Sequence, residues 1–230
     1  PRIQVKFKIK LYTVNTDPKG IRDQQTLARE AISRLKKNHS CLIACHTGYG
    51  KTLVSIYLIV WAKLKAVVLV FSDVLQRQWK HQIEKNTTAK VQLIKNSKDR
   101  LDPSADIYII GIKRASKMPR SWFTKIGMVV LDEAHIATEE RFCRTLFKFS
   151  PYFLLGATAT PNRPDGLHRI FYLYFGPRKT FLIREERDKP FKVIKYKTRY
   201  KPEIEYRTIF GKLTLQWSKV QTSIASNSSR

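Results

Sequence analysis

One lysine and two glycines separate two apolar runs within residues 43–61. The centre of this segment, residues 48–52, reads GYGKT. When a strand, a glycine-rich turn and a helix follow each other, backbone N–H groups can close around phosphate oxygens, and the helix N-terminus adds its positive dipole end. Lys51 would then reach the β- and γ-phosphates of a nucleotide, and Thr52 would offer its hydroxyl to Mg²⁺. The spacing predicts a nucleotide-phosphate site.

The glycine pattern of this loop is incomplete. The full motif has a glycine five residues before Gly50, where this chain has Cys45. Taken alone, a Gly-Lys-Thr triplet could arise by chance in a chain so rich in lysine. A phosphate loop also requires a carboxylate from a neighbouring strand to hold the metal, so a second motif decides between these interpretations.

The segment MVVLDEAH, residues 128–135, provides that carboxylate. Asp132 stands where an apolar run ends, and Glu133 follows it as a candidate base that orients or deprotonates an attacking water. The alternative is a pair of acids that begin a helix and favour its dipole. Because both motifs occur in this order and in this context, we interpret them as one site for nucleotide hydrolysis.

The elements that must position these residues follow a regular rhythm. Short apolar runs predict strands, and longer amphipathic segments predict helices between several of them. The predicted strands are residues 41–45, 66–71, 91–94, 106–110, 128–132 and 152–156, and the predicted helices include 22–37, 74–85 and 138–148. Continuous apolar strands alternating with helices are typical of an α/β domain with a mainly parallel sheet, whose site loops share one edge.

The two ends of the chain differ from this middle part. Residues 1–12 alternate between apolar and polar, mostly basic, side chains, which predicts a half-buried strand within an N-terminal segment 1–19. We expect the nucleotide-binding domain at 20–177. A charged, β-prone extension follows at 178–230, with a last helix over about 211–224. The chain opens with proline and not with methionine, which favours a fragment or a processed product.

Charge is the strongest signal in the composition. Lys and Arg number 44 against 18 Asp and Glu, a formal net charge of +26. This excess predicts a polyanionic partner, most simply nucleic acid, and the alternative is basic charge spread over a solvated surface. The sequence has neither an apolar run of membrane-spanning length nor a signal peptide. Its three cysteines fit no metal spacing, so we expect an intracellular, reducing location and no membrane association.

The motifs together resemble the first RecA-like domain of a superfamily 2 helicase. CHTGYGKT (45–52) aligns with the family's A-P-T-G-x-G-K-T, and DEAH (132–135) matches its second motif letter for letter. LLGATATPNRPDG (154–166) matches the third motif, and its ATPxRxDG ending resembles the XPB and UvsW group more than the RNA helicases with a DEAH motif. Within this family, the sequence is most similar in character to helicases of large cytoplasmic DNA viruses of the poxvirus and African swine fever virus types. The resemblance covers most of residues 20–230.

The resemblance implies ATP and Mg²⁺ as cofactors. Lys51, Asp132 and Glu133 are the implied catalytic residues, and Thr52 and Asp132 would hold the metal. The implied nucleotide-binding residues are Gln25, Thr47, Gly48, Tyr49, Gly50, Lys51 and Thr52. Gln25 occupies the position that contacts adenine in the family, and Gln24 replaces the usual aromatic residue before it.

Further residues are assigned to coupling and to nucleic-acid contact. In the family the histidine of the second motif bonds toward the third, which implies coupling between His135 and the segment from Thr158 to Thr160; the alternative is a partly exposed histidine at a helix start. Basic residues that follow strand ends are candidate phosphate contacts, though each could simply be solvated. They are Arg77, Lys80, Lys113, Arg114 and Arg163.

The resemblance implies an ATP-dependent helicase or translocase acting on nucleic acid, DNA more than RNA, in viral or cellular transcription, replication or repair. It further implies a second RecA-like domain, which supplies the arginines that touch the γ-phosphate. Residues 1–230 carry no matching motif for that domain, so we expect them to be nearly inactive alone. Two alternatives stay open: a double-strand translocase or remodeller, and a basic nucleic-acid-binding module with an inactive motor.

Overall fold

The computed structural model describes residues 4–10, 18–96, 98–135, 140–161, 166–184, 201–209 and 212–226. The chain divides into two compact units, Pro1–Arg187 and Asp188–Arg230. The phosphate loop and both acidic residues belong to the first unit.

The first unit is built on a parallel β-sheet. Its strands are β1 (Ser40–Cys45), β2 (Ala66–Val70), β3 (Val91–Ile94), β4 (Ile107–Gly111), β5 (Met128–Asp132), β6 (Phe153–Thr158) and β7 (Leu182–Arg184). Within the described residues these seven strands lie in the order β3-β4-β2-β5-β6-β1-β7, and neighbours pair in parallel. The α/β class and the mainly parallel sheet predicted from the sequence are confirmed.

Helices connect these strands. They are α1 (Pro18–Asn38), α2 (Lys51–Ala62), α3 (Asp73–Asn86), α4 (Ile112–Ala115), α5 (Glu140–Leu146) and α6 (Ile170–Phe175), with short 3₁₀ turns at Arg120–Phe123, Leu167–Arg169 and Arg178–Thr180. Along the described residues, no helix is both long enough and apolar enough to cross a membrane.

The central strands are apolar throughout because both faces of the sheet are covered. In β2, Ala66, Val68 and Val70 belong to one buried cluster, which includes residues of α1, α2 and α3. The alternate residues Val67 and Leu69 belong to a second cluster on the other face, which includes residues of α4 and α6. Successive side chains of a strand point to opposite faces, so a strand buried on both sides loses the apolar–polar alternation of an exposed sheet.

The N-terminal segment differs from its prediction. Residues 4–10 are extended but form only isolated antiparallel bridges, Gln4 with Leu64 and Ile9 with Thr87, instead of a strand of the sheet. Val5 and Phe7 are buried, as the alternation predicted, whereas Ile9 is exposed. The apolar pattern therefore anticipated which side chains the core takes up, but not how the backbone pairs.

The end of the sheet lies beyond residue 177, where the sequence placed the domain boundary. β7 pairs with β1 through Ile43 and Leu182, and Arg184 at its end bonds to Glu30 of α1 at 2.7 Å. The second unit contains a hairpin of β8 (Tyr206–Ile209) and β9 (Lys212–Leu215), followed by α7 (Trp217–Ser226). The last helix thus begins later than predicted, because residues 212–215 pair with β8.

Gly156 in β6 allows a close approach between the sheet and the residues that cover it. A Cβ at this position would lie 2.6 Å from both Leu42 Cδ1 and Phe175 Cζ. We predict that Gly156→Ala lowers the free energy of unfolding by about 1–3 kcal/mol through overpacking. Urea denaturation followed by circular dichroism measures this change. Gly111→Ala is the matched control, since its Cβ would meet nothing nearer than 3.7 Å; equal midpoints for the two variants would contradict the packing argument.

Candidate nucleotide-binding site

The loop between β1 and α2 contains two glycines in left-handed backbone conformations. Gly48 has φ 83° and Gly50 has φ 96°, which are values that residues with a Cβ rarely adopt. Cys45, where the full motif has glycine, lies in β1 and is not among the residues with positive φ. The backbone at this position therefore does not require a glycine. Burial raises the pKa of the Cys45 thiol to about 11, which keeps it protonated.

Lys51 points back into the loop. Its Nζ donates to the carbonyl oxygens of Cys45 at 2.9 Å and His46 at 3.2 Å. An ammonium group at the mouth of a loop with two left-handed glycines, in front of the N-terminus of a 12-residue helix, fits a polyphosphate. The structure thus brings the lysine and both glycines of the motif together.

Asp132 ends β5, and both of its carboxylate oxygens accept a hydrogen bond. Trp79 Nε1 donates to Oδ2 at 2.7 Å, and the Glu133 backbone N–H donates to Oδ1 at 3.1 Å. Burial raises the pKa of Asp132, and the indole bond opposes this by favouring the ionised form. The side chain of Trp79 is buried, with 2% of its surface exposed, and the sequence did not reveal that its N–H reaches the carboxylate.

Glu133 and His135 form a chain of contacts toward β6. Glu133 has φ 49°, an uncommon conformation for a residue with a side chain. Its Oε2 lies 3.3 Å from His135 Nδ1, and this hydrogen bond lowers the pKa of Glu133. His135 Nδ1 also lies 3.2 Å from Thr158 Oγ1, which in turn accepts from the Thr160 N–H. The three residues assigned to coupling are therefore in contact, while the coupling itself stays a prediction.

The donor set suits a magnesium ion that keeps most of its shell from phosphate and water. Among the residues that the structure describes, no three His, Cys, Asp or Glu side chains form a metal cluster. Mg²⁺ is commonly held by one or two carboxylates together with substrate phosphates, so Asp132 and the hydroxyl of Thr52 would fit this pattern, and their role as metal ligands stays a prediction. The charge of Lys51 acts on both Asp132 and Glu133, which places the three groups in one electrostatic neighbourhood.

Two adjacent glutamines of α1 differ in their contacts, and one of them reaches the loop. Gln24, which replaces the family's aromatic residue, donates from Nε2 to the Tyr49 carbonyl at 2.8 Å, and its side chain would be only 2.6 Å from a Cβ at Gly50. Gln25, the residue assigned to adenine, lines with Gln24 a cavity of about 390 Å³ together with residues of α1 and α2, including Tyr57. The sequence missed the contact between Gln24 and the phosphate loop, because a glutamine at an aromatic position gives no signal of where its amide binds.

A basic cavity of about 500 Å³ opens at the carboxyl ends of β2, β3 and β4. Its lining residues are Phe71, Ser72, Asp73, Lys95, Asn96, Gly111, Lys113, Arg114 and Lys117. Two of the five predicted phosphate contacts, Lys113 and Arg114, lie here. Phe71, Lys95, Asn96 and Lys117 were not predicted, since they come from three separate loops that only the sheet order brings together.

The other predicted phosphate contacts lie elsewhere. Arg77 is exposed on α3 and does not line the basic cavity. Lys80, one turn further along α3, pairs with Glu84 at 3.3 Å. Arg163 lies outside the described residues. Lys113 and Arg114 thus stay the basic candidates with the clearest structural support.

Comparison with known proteins decides the family. The model of the family described as "Type III restriction enzyme, res subunit" matches residues 19–163, which contain the phosphate loop, the DEAH segment and most of the third motif. The chain belongs to this family. It is a RecA-like domain of the superfamily 2 helicase type.

Relatives and solved structures agree with this assignment. The protein named "Putative helicase 161L" of Invertebrate iridescent virus 6 is 34% identical over 99% of this chain and 52% of its own length. The "DNA 3'-5' translocase XPB2" of Sulfurisphaera tokodaii is 29% identical over 68% of this chain and 34% of its own length. The UvsW helicase of bacteriophage T4 has a similar fold, with a TM-score of 0.60 at 19% identity over 74% of this chain and 62% of that one. The chain spans about half the length of the relative from Invertebrate iridescent virus 6 and of two further curated viral relatives, from Invertebrate iridescent virus 3 and Frog virus 3.

Trp79 gives the site a testable positioning contact. We predict that Trp79→Phe weakens binding of Mg²⁺-ATP about 10- to 100-fold, because residues that orient a metal ligand commonly have effects of this size. Binding of ATP without metal should change little, since the phosphate loop is intact. Calorimetric titration with and without Mg²⁺ separates the two.

The control for this experiment is Trp61→Phe. Trp61 lies on α2, and its ring centroid is 5.2 Å from that of Phe153. The substitution therefore also removes an indole, but not the one that bonds to Asp132. If both variants bind Mg²⁺-ATP as the parent does, the bond from Trp79 to Asp132 has no role in holding the metal.

Proposed function

We propose that this chain is the ATP-binding motor domain of a nucleic-acid helicase or translocase, in which ATP hydrolysis drives movement along a strand or unwinding of a duplex. One observation carries the proposal. The phosphate loop after β1, the two acidic residues at the end of β5 and the basic cavity at the ends of β2, β3 and β4 all lie at the same edge of one parallel sheet. Binding of a nucleotide and of a polyanionic strand can therefore act on the same short set of loops.

The roles of the site residues follow from their positions. Lys51 binds the β- and γ-phosphates, and the N–H groups around Gly48 and Gly50 close on them. Thr52 and Asp132 would hold Mg²⁺, which when bound neutralises charge that develops on the phosphates. Glu133, held by His135, orients the attacking water and accepts its proton.

Two structural connections link the nucleotide site to the nucleic-acid strand. The first runs from Glu133 through His135 to Thr158 on β6. The second is α3, whose N-cap residue Ser72 lines the basic cavity and whose Trp79 bonds to Asp132 two turns later. If α3 shifts when a nucleic-acid strand binds, the Asp132 carboxylate, which would hold the metal, moves with it. This is a physical route by which nucleic acid could stimulate ATP hydrolysis.

The remaining assignments extend this proposal to the whole protein. We infer that a second RecA-like domain closes the cleft over ATP and that the second unit, with its hairpin and α7, leads toward it. DNA is favoured over RNA as the substrate, within the cell, in transcription, replication or repair. Support for DNA comes from the relative named a DNA translocase and from a structural neighbour titled as a SWI2/SNF2 ATPase core in complex with double-stranded DNA, which has a TM-score of 0.57 at 18% identity.

The same two proteins favour a second candidate, a translocase on double-stranded DNA that does not separate strands. Strand-displacement assays with the full-length protein distinguish it from a helicase. Other relatives are named as RNA helicases, for example a protein of African swine fever virus that is 30% identical over 59% of this chain, so the assays should include RNA strands.

Substitutions at Lys51 and Glu133 separate binding from chemistry. We predict that Lys51→Ala abolishes ATP binding, because the loop loses the cation that meets the phosphates, while the fold is kept. Glu133→Gln should bind ATP like the parent and lose turnover, since only the group that acts on water is altered. Calorimetric titration and a phosphate-release assay measure the two properties.

Lys63→Ala is a control for general loss of basic charge, because Lys63 lies at the opposite end of α2. Undiminished ATP affinity in Lys51→Ala would refute the phosphate role of this lysine. Parent-like turnover in Glu133→Gln would refute the role of this acid in catalysis.

Residues 1–230 alone should hydrolyse ATP very slowly. An arginine supplied from outside the phosphate loop contributes roughly 10³- to 10⁵-fold to the rate in related NTPases, and we assign that arginine to the second domain. We expect turnover to stay low even with nucleic acid present. Brisk, nucleic-acid-stimulated hydrolysis by this chain as a monomer would show that the arginine lies within these residues.

A further inference from the structure

Phe71 is an aromatic side chain that the core does not take up. It directly follows β2, every residue of which is buried, yet it is 40% exposed and belongs to neither hydrophobic cluster. Its ring lines the basic cavity instead. An exposed aromatic ring in a pocket lined by cations needs a reason beyond packing.

The register of the sheet brings a lysine onto this ring. Val70 of β2 pairs with Gly111 of β4, so the residues that follow the two strands leave the sheet side by side. Lys113 Nζ lies over the Phe71 ring at 4.8 Å from its centroid. Phe71 thus presents a ring with a cation over one face and exposed surface besides.

The charges around the ring suit a phosphate backbone. Among the described residues, Lys95, Lys113, Arg114 and Lys117 contribute four cations to the cavity, and Asp73 is the one carboxylate in its lining. Asp73 Oδ1 lies 3.7 Å from Arg114 Nη1, so part of its charge is already compensated. The cavity therefore combines an excess of positive charge with an aromatic face, which is the pattern of sites for unpaired nucleotides.

We propose that Phe71 is a stacking platform for an unpaired base, and that the surrounding lysines and Arg114 bind the adjoining phosphates. This inference rests on the proposed function and specifies the form of nucleic acid that the site takes. Inside a duplex, both faces of a base are covered by its stacked neighbours, so an aromatic side chain reaches a base face only when the base is unstacked. The cavity should therefore prefer a single strand over a blunt duplex.

The test compares three ligands on the same protein: an oligothymidylate, an abasic strand of the same length, and a blunt duplex. We expect Phe71→Ala to weaken binding of the oligothymidylate roughly 5- to 150-fold, the range for loss of one base–aromatic stack. Binding of the abasic strand and of the duplex should stay within experimental error of the parent, because both offer phosphates without an accessible base face. Fluorescence anisotropy at one fixed salt concentration measures all three.

Three variants keep this test decisive. Phe71→Trp should retain affinity for the oligothymidylate, whereas Phe71→Leu, which preserves an apolar side chain and the fold, should lose it as Phe71→Ala does. Val74→Ala is the matched control, since Val74 is an exposed apolar residue of α3 outside the cavity.

The outcomes separate the two proposals. If the parent binds none of the three ligands, the proposed function fails. If the parent binds strands but Phe71→Ala and Phe71→Leu bind the oligothymidylate as tightly as the parent, or lose the abasic strand equally, Phe71 is not a base platform and the ring only packs against Lys113.

Discussion

The parallel pairing of β1, β6, β5 and β2 is the constraint on which the whole site depends. Because these strands run in the same direction, Cys45, Asp132 and Thr158 all stand at carboxyl ends along one edge. No local interaction could bring together residues so far apart in the chain. The cost is that every site loop must follow a strand buried on both faces, which explains why the motif residues follow continuous apolar runs.

Burial of charge near the site is compensated by specific hydrogen bonds. Asp132 is withdrawn from water, which disfavours its ionised form, and the indole of Trp79 supports the charged state that a metal requires. Lys65, at the opposite edge of the sheet, shows the same logic in a structural role. Burial lowers its pKa, and its ammonium group donates to the carbonyls of Pro103 and Ala105.

The structure shows where some of the basic residues that produce the net charge come together. A formal charge of +26 predicts a polyanionic partner but does not locate it. The sheet order places the loops after β2, β3 and β4 around one cavity, where Lys95 and Lys117 join the predicted Lys113 and Arg114. Long-range attraction by the whole surface and short-range binding in this cavity are therefore two different consequences of the same composition.

Most of the fold could be predicted because its signals are local. Strands β3 and β5 have the predicted limits, because the ends of a short apolar run can be read directly from the sequence. Pairing depends on partners that are distant in sequence, which is why residues 4–10 and β7 differ from expectation. A run such as 66–71 also does not tell which of its members is buried, and Phe71 is the one that is not.

The sequence by itself predicted the chemistry: a lysine and two glycines for phosphate, Asp132 for a metal, and Glu133 for water. These depend on residue type and short spacing, which the primary structure displays directly. Only the tertiary structure decided that Trp79 holds Asp132, that Gln24 covers the phosphate loop, and that Phe71 stands exposed among cations. The physical reason is that these contacts join side chains from different elements, and their geometry exists only once the strands have taken their order in the sheet.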